Sequence, residues 1–128
     1  VAQIGIRSGE KEEFEWGKAN THFFADTHWD VVSASEKVVK IFKDRPIYIT
    51  LDIDVLDPAY APGTGTPEAG GCTSKELFQA LYIILENLNV IGADIVEIAP
   101  DYDPSERTAF VGAKILREII LGIKKVKD

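Results

Sequence analysis

Two aspartates separated by one residue, Asp52 and Asp54, directly follow the mainly apolar segment 46–51. On an extended chain, residues two apart point to the same side, so we expect both carboxylates to face one point. Two anions held close together at the end of a buried strand repel each other and lose hydration, which is costly unless cations compensate. Carboxylate oxygens suit hard divalent ions such as Mg²⁺ and Mn²⁺, and one carboxylate can bridge two of them. The pair therefore predicts a metal site.

Other interpretations of this aspartate pair are open at this point. One aspartate could cap the following turn while the other is solvated. A calcium-binding loop requires an oxygen ligand at its fifth position and glycine at its sixth, where Leu56 and Asp57 stand, so that class is excluded. The pattern Asp-x-Asp-x-Val at 52–55 also resembles the nucleophile motif of haloacid-dehalogenase-like phosphatases. The usual Gly-Thr-type turn of that family is replaced here by Leu56-Asp57-Pro58, which disfavours a phosphatase.

Three apolar runs rich in Val and Ile, at residues 1–7, 46–53 and 90–98, alternate with longer stretches of helical period. This β–α pattern predicts strands buried on both faces and joined by right-handed helical crossovers into a mainly parallel sheet. The predicted fold class is therefore α/β, a three-layer sandwich.

The helical stretches carry start signals, in each of which a capping residue stands three positions before a glutamate. The last of these signals also has Pro104 at the expected first helical position. The apolar stripe of residues 107–125 predicts a long helix that covers one face of the sheet. The three signals are Ser33 with Glu36, Thr73 with Glu76, and Asp103 with Glu106.

A long Pro- and Gly-rich segment, residues 57–71, follows the aspartate pair. It exceeds the ~2–6 residues of an ordinary strand-to-helix connection, and long loops of this kind are often functional. In parallel α/β sheets, ligands bind beyond the carboxyl ends of the strands, where this loop emerges. Its prolines restrict the backbone and its glycines permit close approach, so we expect a preorganised loop. We expect Asp57 to fix the turn before Pro58 rather than bind metal, and Glu68 to lie at the rim.

The segment 50–71 reads TLDIDVLDPAYAPGTGTPEAGG, which resembles the signature shared by arginases and agmatinases of the ureohydrolase family. Segments 3–7 and 94–100 resemble the family's strands before and after the signature, so the resemblance spans nearly the whole chain. It implies a partial ureohydrolase fold, with residues 1–128 as the carboxy-terminal part of a single ureohydrolase domain.

The resemblance also implies roles for four residues. Asp52 and Asp54 would ligate two manganese ions, with Asp52 bridging them. Glu97 would bind the substrate guanidinium, and Thr66 would support Glu97 from the loop. These roles are chemically consistent, because paired metal ions generate a bridging hydroxide that can attack a guanidinium carbon. A carboxylate also presents a planar acceptor to guanidinium N–H donors.

The substrate implied by the resemblance is agmatine, hydrolysed to putrescine and urea in polyamine biosynthesis. Four signature residues match the agmatinase form rather than the arginase form: Ala59, Ala61, Gly63 and Glu68. Arginine, guanidinobutyrate or another guanidino compound stays an alternative substrate. A non-catalytic binding or assembly fragment is a third class of function.

The family also carries Gly-Gly-Asp-His and Asp-Ala-His-x-Asp segments, which supply further metal ligands, and a proton-transfer histidine. Asp26, His28 and Asp30 mimic the second segment, but they lie after the position where the family has already used it. We therefore assign them no metal role, and expect His22 and His28 to be loop or helix-entry residues. No confident catalytic residue is left in this chain, and we expect the 128 residues alone to be inactive.

Composition bounds the remaining expectations. With 45% hydrophobic residues the chain can bury one core, and without any methionine we expect an upstream part to be missing. A net charge of −7 with dispersed basic residues argues against nucleic acid as a partner. No apolar run approaches the ~18 residues of a membrane span, residues 1–6 lack signal-peptide features, and Cys72 is alone. We expect a cytoplasmic homo-oligomer that binds a small guanidino substrate.

Overall fold

The computed structural model describes residues 1–25 and 30–125. Four strands and four helices alternate strictly along the chain, and short 3₁₀ turns at Ile53–Val55 and Pro100–Tyr102 follow the last two strands. The predicted α/β class is confirmed, and the three predicted strands are present at nearly the expected positions. The elements are β1 (Ala2–Ile6), α1 (Lys11–Asn20), β2 (His22–Ala25), α2 (Val31–Phe42), β3 (Pro46–Asp52), α3 (Ser74–Asn87), β4 (Asn89–Val96) and α4 (Arg107–Lys125).

The four strands pair in parallel, as predicted, but within the described residues they form two separate two-stranded sheets. β1 pairs with β2, and β3 pairs with β4. One hydrophobic core nevertheless serves both sheets, because Phe24 of β2, Leu51 of β3 and Ile115 of α4 belong to the same cluster. The carboxyl ends of β1 and β3 also meet, since the Arg7 guanidinium donates a hydrogen bond to the Asp54 backbone carbonyl.

The sheet formed by β3 and β4 has one buried and one open face in the described chain. Along β3, Tyr48 and Thr50 are exposed, whereas Leu51 is buried in the core. The hydroxyls of Tyr48 and Thr50 donate to Asp94 over 2.9 and 2.7 Å, which forms a polar ladder on the open face. No helix within the described ranges is long and apolar enough to cross a bilayer.

The predicted helix starts met different outcomes. The capping box at α3 is confirmed, because Thr73 Oγ1 accepts from the Glu76 amide while Glu76 accepts from the Thr73 amide. The predicted start at Ser33 is wrong: α2 begins at Val31, and Asp30 is its cap. Pro104 is not a first helical residue, since α4 begins three residues later at Arg107.

The short strand β2 was not predicted from the sequence. It has only four residues, which is too few to show a clear alternation of apolar and polar side chains. Its first residue is His22, so the expectation that this histidine lies in a loop or helix entry is wrong. The His22 ring stands edge-on to Phe42, with ring centroids 5.7 Å apart.

Candidate active site

The aspartate pair lies at the carboxyl end of β3, but not on one extended strand. Asp52 is the last residue of β3, and Asp54 lies in the 3₁₀ turn that follows. Asp52 Oδ1 accepts from the Asp54 amide over 3.1 Å and thereby caps this turn. The capping interpretation is thus correct for Asp52, and the expected strand geometry is wrong. The 3₁₀ turn, rather than an extended strand, places the two side chains near each other.

Asp54 is held in an environment that disfavours its charge. Burial raises the pKa of its carboxyl group above 3.8, and the neighbouring charge of Asp52 raises it further. The Arg7 guanidinium and a hydrogen bond from Thr66 act in the opposite direction with smaller effect. The charged form of Asp54 is therefore disfavoured in the folded protein.

Glu97 lies at the same edge of the β3–β4 sheet as the aspartate pair. The parallel register places Asp52 opposite Val96, and Glu97 is the next residue. Its backbone has a φ of 64°, in the left-handed region that non-glycine residues rarely adopt. Such a conformation costs about 1–3 kcal/mol and persists only where the surrounding structure imposes it, often at functional sites.

The Pro- and Gly-rich loop contacts both acidic groups through adjacent residues. Thr66 Oγ1 donates to Asp54 Oδ2 over 3.4 Å, and its support of Glu97 stays a prediction. Gly65 is the loop residue beside Glu97, since a Cβ built there would lie 3.5 Å from Glu97 Oε2. Adjacent residues of the loop thus lie beside the aspartate pair and beside Glu97.

The base of the loop is closed by backbone hydrogen bonds. Leu56 and Cys72 form a parallel β-bridge, in which Cys72 N donates to the Val55 carbonyl and Asp57 N to the Cys72 carbonyl. Asp57 accepts from the amides of Ala59 and Gly70 over 2.9 and 2.8 Å, and these bonds lower its pKa. The expectation that Asp57 fixes the turn is confirmed, and the loop is preorganised.

The described residues contain no group of three or more His, Cys, Asp or Glu side chains that could hold a metal ion. Asp52 and Asp54 are thus a pair of donors rather than a full coordination set. Asp30 is used otherwise, because its carboxylate accepts from Val32 N, Ser33 N and the Ser33 hydroxyl. Asp26 and His28 lie outside the described residues.

Three residues around the site were missed in the sequence. Arg7 donates to the backbone carbonyls of Asp54 and Glu68, which ties the turn after β3 to the far end of the loop. Thr108 in α4 accepts from the Gly63 amide at the near end of the loop, and its hydroxyl donates to Asp103. Asp103 was singled out only as a helix start, and no local pattern indicates that Arg7 and Thr108 reach residues more than forty positions away.

Comparison with known proteins decides the family. The model of the arginase family matches residues 1–122. The chain belongs to the arginase family. Metal dependence is general in this family. The family assignment removes the haloacid-dehalogenase alternative.

Individual relatives agree with this assignment. An agmatinase of Bacillus subtilis is 52% identical over 126 residues, covering 98% of this chain and 43% of that protein. A human mitochondrial guanidino acid hydrolase is 41% identical, covering 98% of this chain and 37% of that protein. The crystal structure of an agmatine ureohydrolase of Thermoplasma volcanium superposes with a TM-score of 0.80 and 34% identity, covering 98% of this chain and 42% of that one. The chain thus spans about two fifths of these relatives' length.

Proposed function

We propose that this chain supplies part of the active site of a manganese-dependent agmatinase, which hydrolyses agmatine to putrescine and urea. The observation that carries the proposal is the pairing of Asp52 with Val96, which places Glu97 beside the aspartate pair at one sheet edge. A site for a guanidinium compound needs a metal-binding group and a guanidinium acceptor side by side. The similarity to the Bacillus subtilis agmatinase supports the choice of substrate.

The donor set fits a hard divalent cation. Asp52 and Asp54 present carboxylate oxygens, and the raised pKa of Asp54 reports a negative charge that burial and Asp52 leave poorly compensated. We propose that Asp52 and Asp54 would together hold two Mn²⁺ ions and that the other ligands lie outside the described residues. Such an ion pair, when bound, activates a water molecule for attack near neutral pH.

We propose that Glu97 binds the guanidinium of the substrate. Its carboxylate is exposed at the sheet edge, beside Gly65, whose missing side chain leaves the approach open. A carboxylate accepts two N–H bonds from a guanidinium in one plane, so Glu97 would fix the orientation of the substrate's central carbon. Thr66 contributes by holding Asp54, and the proton-transfer group is expected outside this chain.

The alternative within the family is another guanidino substrate. The human relative is a guanidino acid hydrolase. None of the residues Asp52, Asp54, Thr66 and Glu97 would contact the far end of the substrate.

We further propose a cytoplasmic homo-oligomer in which residues 1–128 are the carboxy-terminal part of one ureohydrolase domain. Subcellular fractionation and size-exclusion chromatography of the natural full-length protein test these two statements.

The decisive experiment measures urea release by the full-length protein from agmatine, arginine and guanidinobutyrate, after removal of metal and after addition of Mn²⁺. We expect release from agmatine to exceed release from the other two substrates and to depend on Mn²⁺. Preference for arginine or guanidinobutyrate would overturn the agmatinase assignment within the family. Urea release that survives complete metal removal would overturn the metal site.

A further inference from the structure

The near end of the loop is bound to the start of α4 by a continuous chain of short hydrogen bonds. Ala99 N donates to the Gly63 carbonyl over 2.8 Å, and Gly63 N donates to Thr108 Oγ1 over 2.8 Å. The Thr108 hydroxyl and amide both donate to Asp103 Oδ2, over 2.7 and 2.8 Å. Both polar groups of the Gly63 backbone are therefore bound by residues that follow Glu97 in the sequence.

This anchor is buried and closely fitted. Thr108 is fully buried, and Asp103 is 2% exposed. A Cβ at Gly63 would lie 2.8 Å from Asp103 Cβ and 2.9 Å from Thr108 Oγ1, so only glycine fits against the two side chains. Asp103 also accepts from the amide and hydroxyl of Ser105, which holds its second oxygen. The carboxylate is saturated with donors and cannot turn away from Thr108.

The anchor at Gly63 lies close in the sequence to the loop residues that stand beside Glu97 and Asp54. Gly63 is two residues before Gly65, which lies beside Glu97, and three residues before Thr66, which donates to Asp54. Ala99 is two residues after Glu97 and shares a hydrogen bond with Gly63. Any displacement of Gly63 therefore moves the loop relative to Glu97 and relaxes its contact with Asp54.

We propose that Thr108 and Asp103 are positioning residues, which hold the loop in place beside Glu97 and Asp54 by fixing Gly63. The inference rests on the proposed function, since it assigns the anchor a role in seating the guanidinium. Neither side chain touches the substrate. Displacing reactive groups by as little as 1 Å can cost up to about 100-fold in rate, so a buried anchor of this kind affects catalysis from a distance.

Three variants of the full-length protein test the proposal. Thr108→Val keeps the shape of the side chain but removes the hydroxyl, whereas Thr108→Ser keeps the hydroxyl but removes a methyl group. Thr64→Val is the matched control, because Thr64 is also buried and its hydroxyl has no hydrogen-bond partner among the described residues. Thermal unfolding gives the melting temperature of each variant. Well below that temperature we then measure metal content, KM and kcat for agmatine, and amide hydrogen exchange at Gly63.

For Thr108→Val we expect full metal content, rapid exchange of the Gly63 amide, and kcat/KM for agmatine reduced roughly 10-fold or more, mainly through KM. Thr108→Ser should lose thermal stability yet keep wild-type KM and a protected Gly63 amide. Thr64→Val should match the wild type in KM. A purely structural role would instead make KM follow thermal stability, with Thr108→Ser as impaired as Thr108→Val, and that result would overturn the proposal.

The exchange measurement separates this proposal from the proposed function. If the wild type releases no urea from any guanidino substrate, the agmatinase assignment fails while exchange at Gly63 still reports whether the anchor exists. If Gly63 exchanges equally fast in the wild type and in Thr108→Val, the anchor itself is absent and the positioning role is wrong, whatever the activity.

Discussion

Two aspartates in turns that follow parallel strands, Asp54 after β3 and Asp103 after β4, have opposite environments. Asp54 lies next to Asp52, and burial and that neighbour raise its pKa above 3.8. Asp103 is more deeply buried, yet the Ser105 hydroxyl and the Thr108 amide hold its pKa well below 3.8. Burial alone therefore does not decide the state of a carboxyl group, because the number of donors around it outweighs the loss of water.

The two turns differ in the number of hydrogen bonds that their carboxylates accept, and this difference indicates different roles. Both carboxylate oxygens of Asp103 accept hydrogen bonds from Ser105 and Thr108, which lie within five positions of it in the sequence. Among the hydrogen bonds of the described residues, the Asp54 carboxylate receives a long one from Thr66. A turn that satisfies its own charge stabilises the fold, whereas a turn that leaves charge uncompensated is suited to bind a cation.

The largest expected effect is the loss of all activity when residues 1–128 are isolated. The Asp103 turn should form in this chain, because its partners are local. The aspartate pair should bind Mn²⁺ only weakly, because it provides two of the several ligands that each ion needs. Calorimetric titration with Mn²⁺ and a urea assay with agmatine check this. Tight binding of two ions together with urea release would show that the site is complete without further segments.

Next in size is the effect of Asp52→Asn or Asp54→Asn in the full-length protein. Each should lower bound manganese and reduce urea production by roughly 100-fold or more, since a catalytic metal ion contributes several kcal/mol. Without metal, both variants should be more stable than the wild type, because repulsion between the carboxylates falls. Asp101→Asn, at an exposed position in the 3₁₀ turn after β4, is the control and should change neither quantity. Metal analysis, a urea assay and thermal unfolding suffice, and full activity of either variant would contradict the metal site.

Substitutions of Glu97 should produce a smaller loss of rate with the metal retained. Glu97→Gln weakens a charge-assisted pair with the guanidinium, so we expect urea release to fall roughly 10- to 100-fold. Glu97→Gly should also lose activity but should stabilise the fold by about 1 kcal/mol, because glycine accepts the φ of 64° without strain.

The matched control for Glu97→Gly is Glu106→Gly. Glu106 is an exposed glutamate with a φ of 57°, and it lies in the Asp103 turn rather than at the proposed site. The Glu106→Gly variant should gain similar stability and keep full activity in the urea assay. Equal activity of Glu97→Gly and Glu106→Gly would argue that the strain at Glu97 has no functional origin.

The smallest expected effect is the pH dependence of stability in the metal-free protein. Because the folded-state pKa of Asp103 is lowered, its stabilisation is present above pH 3.8 and is lost as the pH falls through the lowered value. The folded-state pKa of Asp54 is raised, so its charge destabilises the fold at neutral pH and this cost disappears as the pH falls below 3.8.

Urea unfolding of wild type, Asp103→Asn and Asp54→Asn across this pH range measures both effects. Asp103→Asn should be less stable than the wild type at pH 7, and the difference should narrow below pH 3.8. Asp54→Asn should be more stable at pH 7, and its advantage should vanish at low pH. A constant difference between wild type and either variant across the range would contradict the assigned environments.

Local sequence patterns predicted those features whose partners are close in the chain. The capping box of α3 joins Thr73 to Glu76 within one turn, and the apolar runs at β1, β3 and β4 alternate with helical periodicity. Asp57 fixes a turn through amides of its own loop. The signature at residues 50–71 carried the family resemblance because its residues are contiguous in the sequence.

Features that depend on partners far away in the chain could not be predicted. Arg7 donates to the backbone carbonyl of Asp54, and Gly63 N donates to Thr108 Oγ1. These partners lie more than forty positions apart in the sequence, so only the path of the chain brings them together. The separation of the strands into two sheets has the same origin, since strand pairing depends on the whole fold.

The sequence by itself determined the family, the α/β class and the identity of the acidic residues at the carboxyl end of β3. It did so because residue types and short spacings carry that information directly. Tertiary structure alone decided the environment of Asp54, whose raised pKa comes from burial as well as from the nearby Asp52. Asp103 obtains its lowered pKa from the Ser105 and Thr108 donors, which lie close to it in the sequence. Hydrogen-bond donors and desolvation act through space, so their balance becomes defined only when the chain is folded.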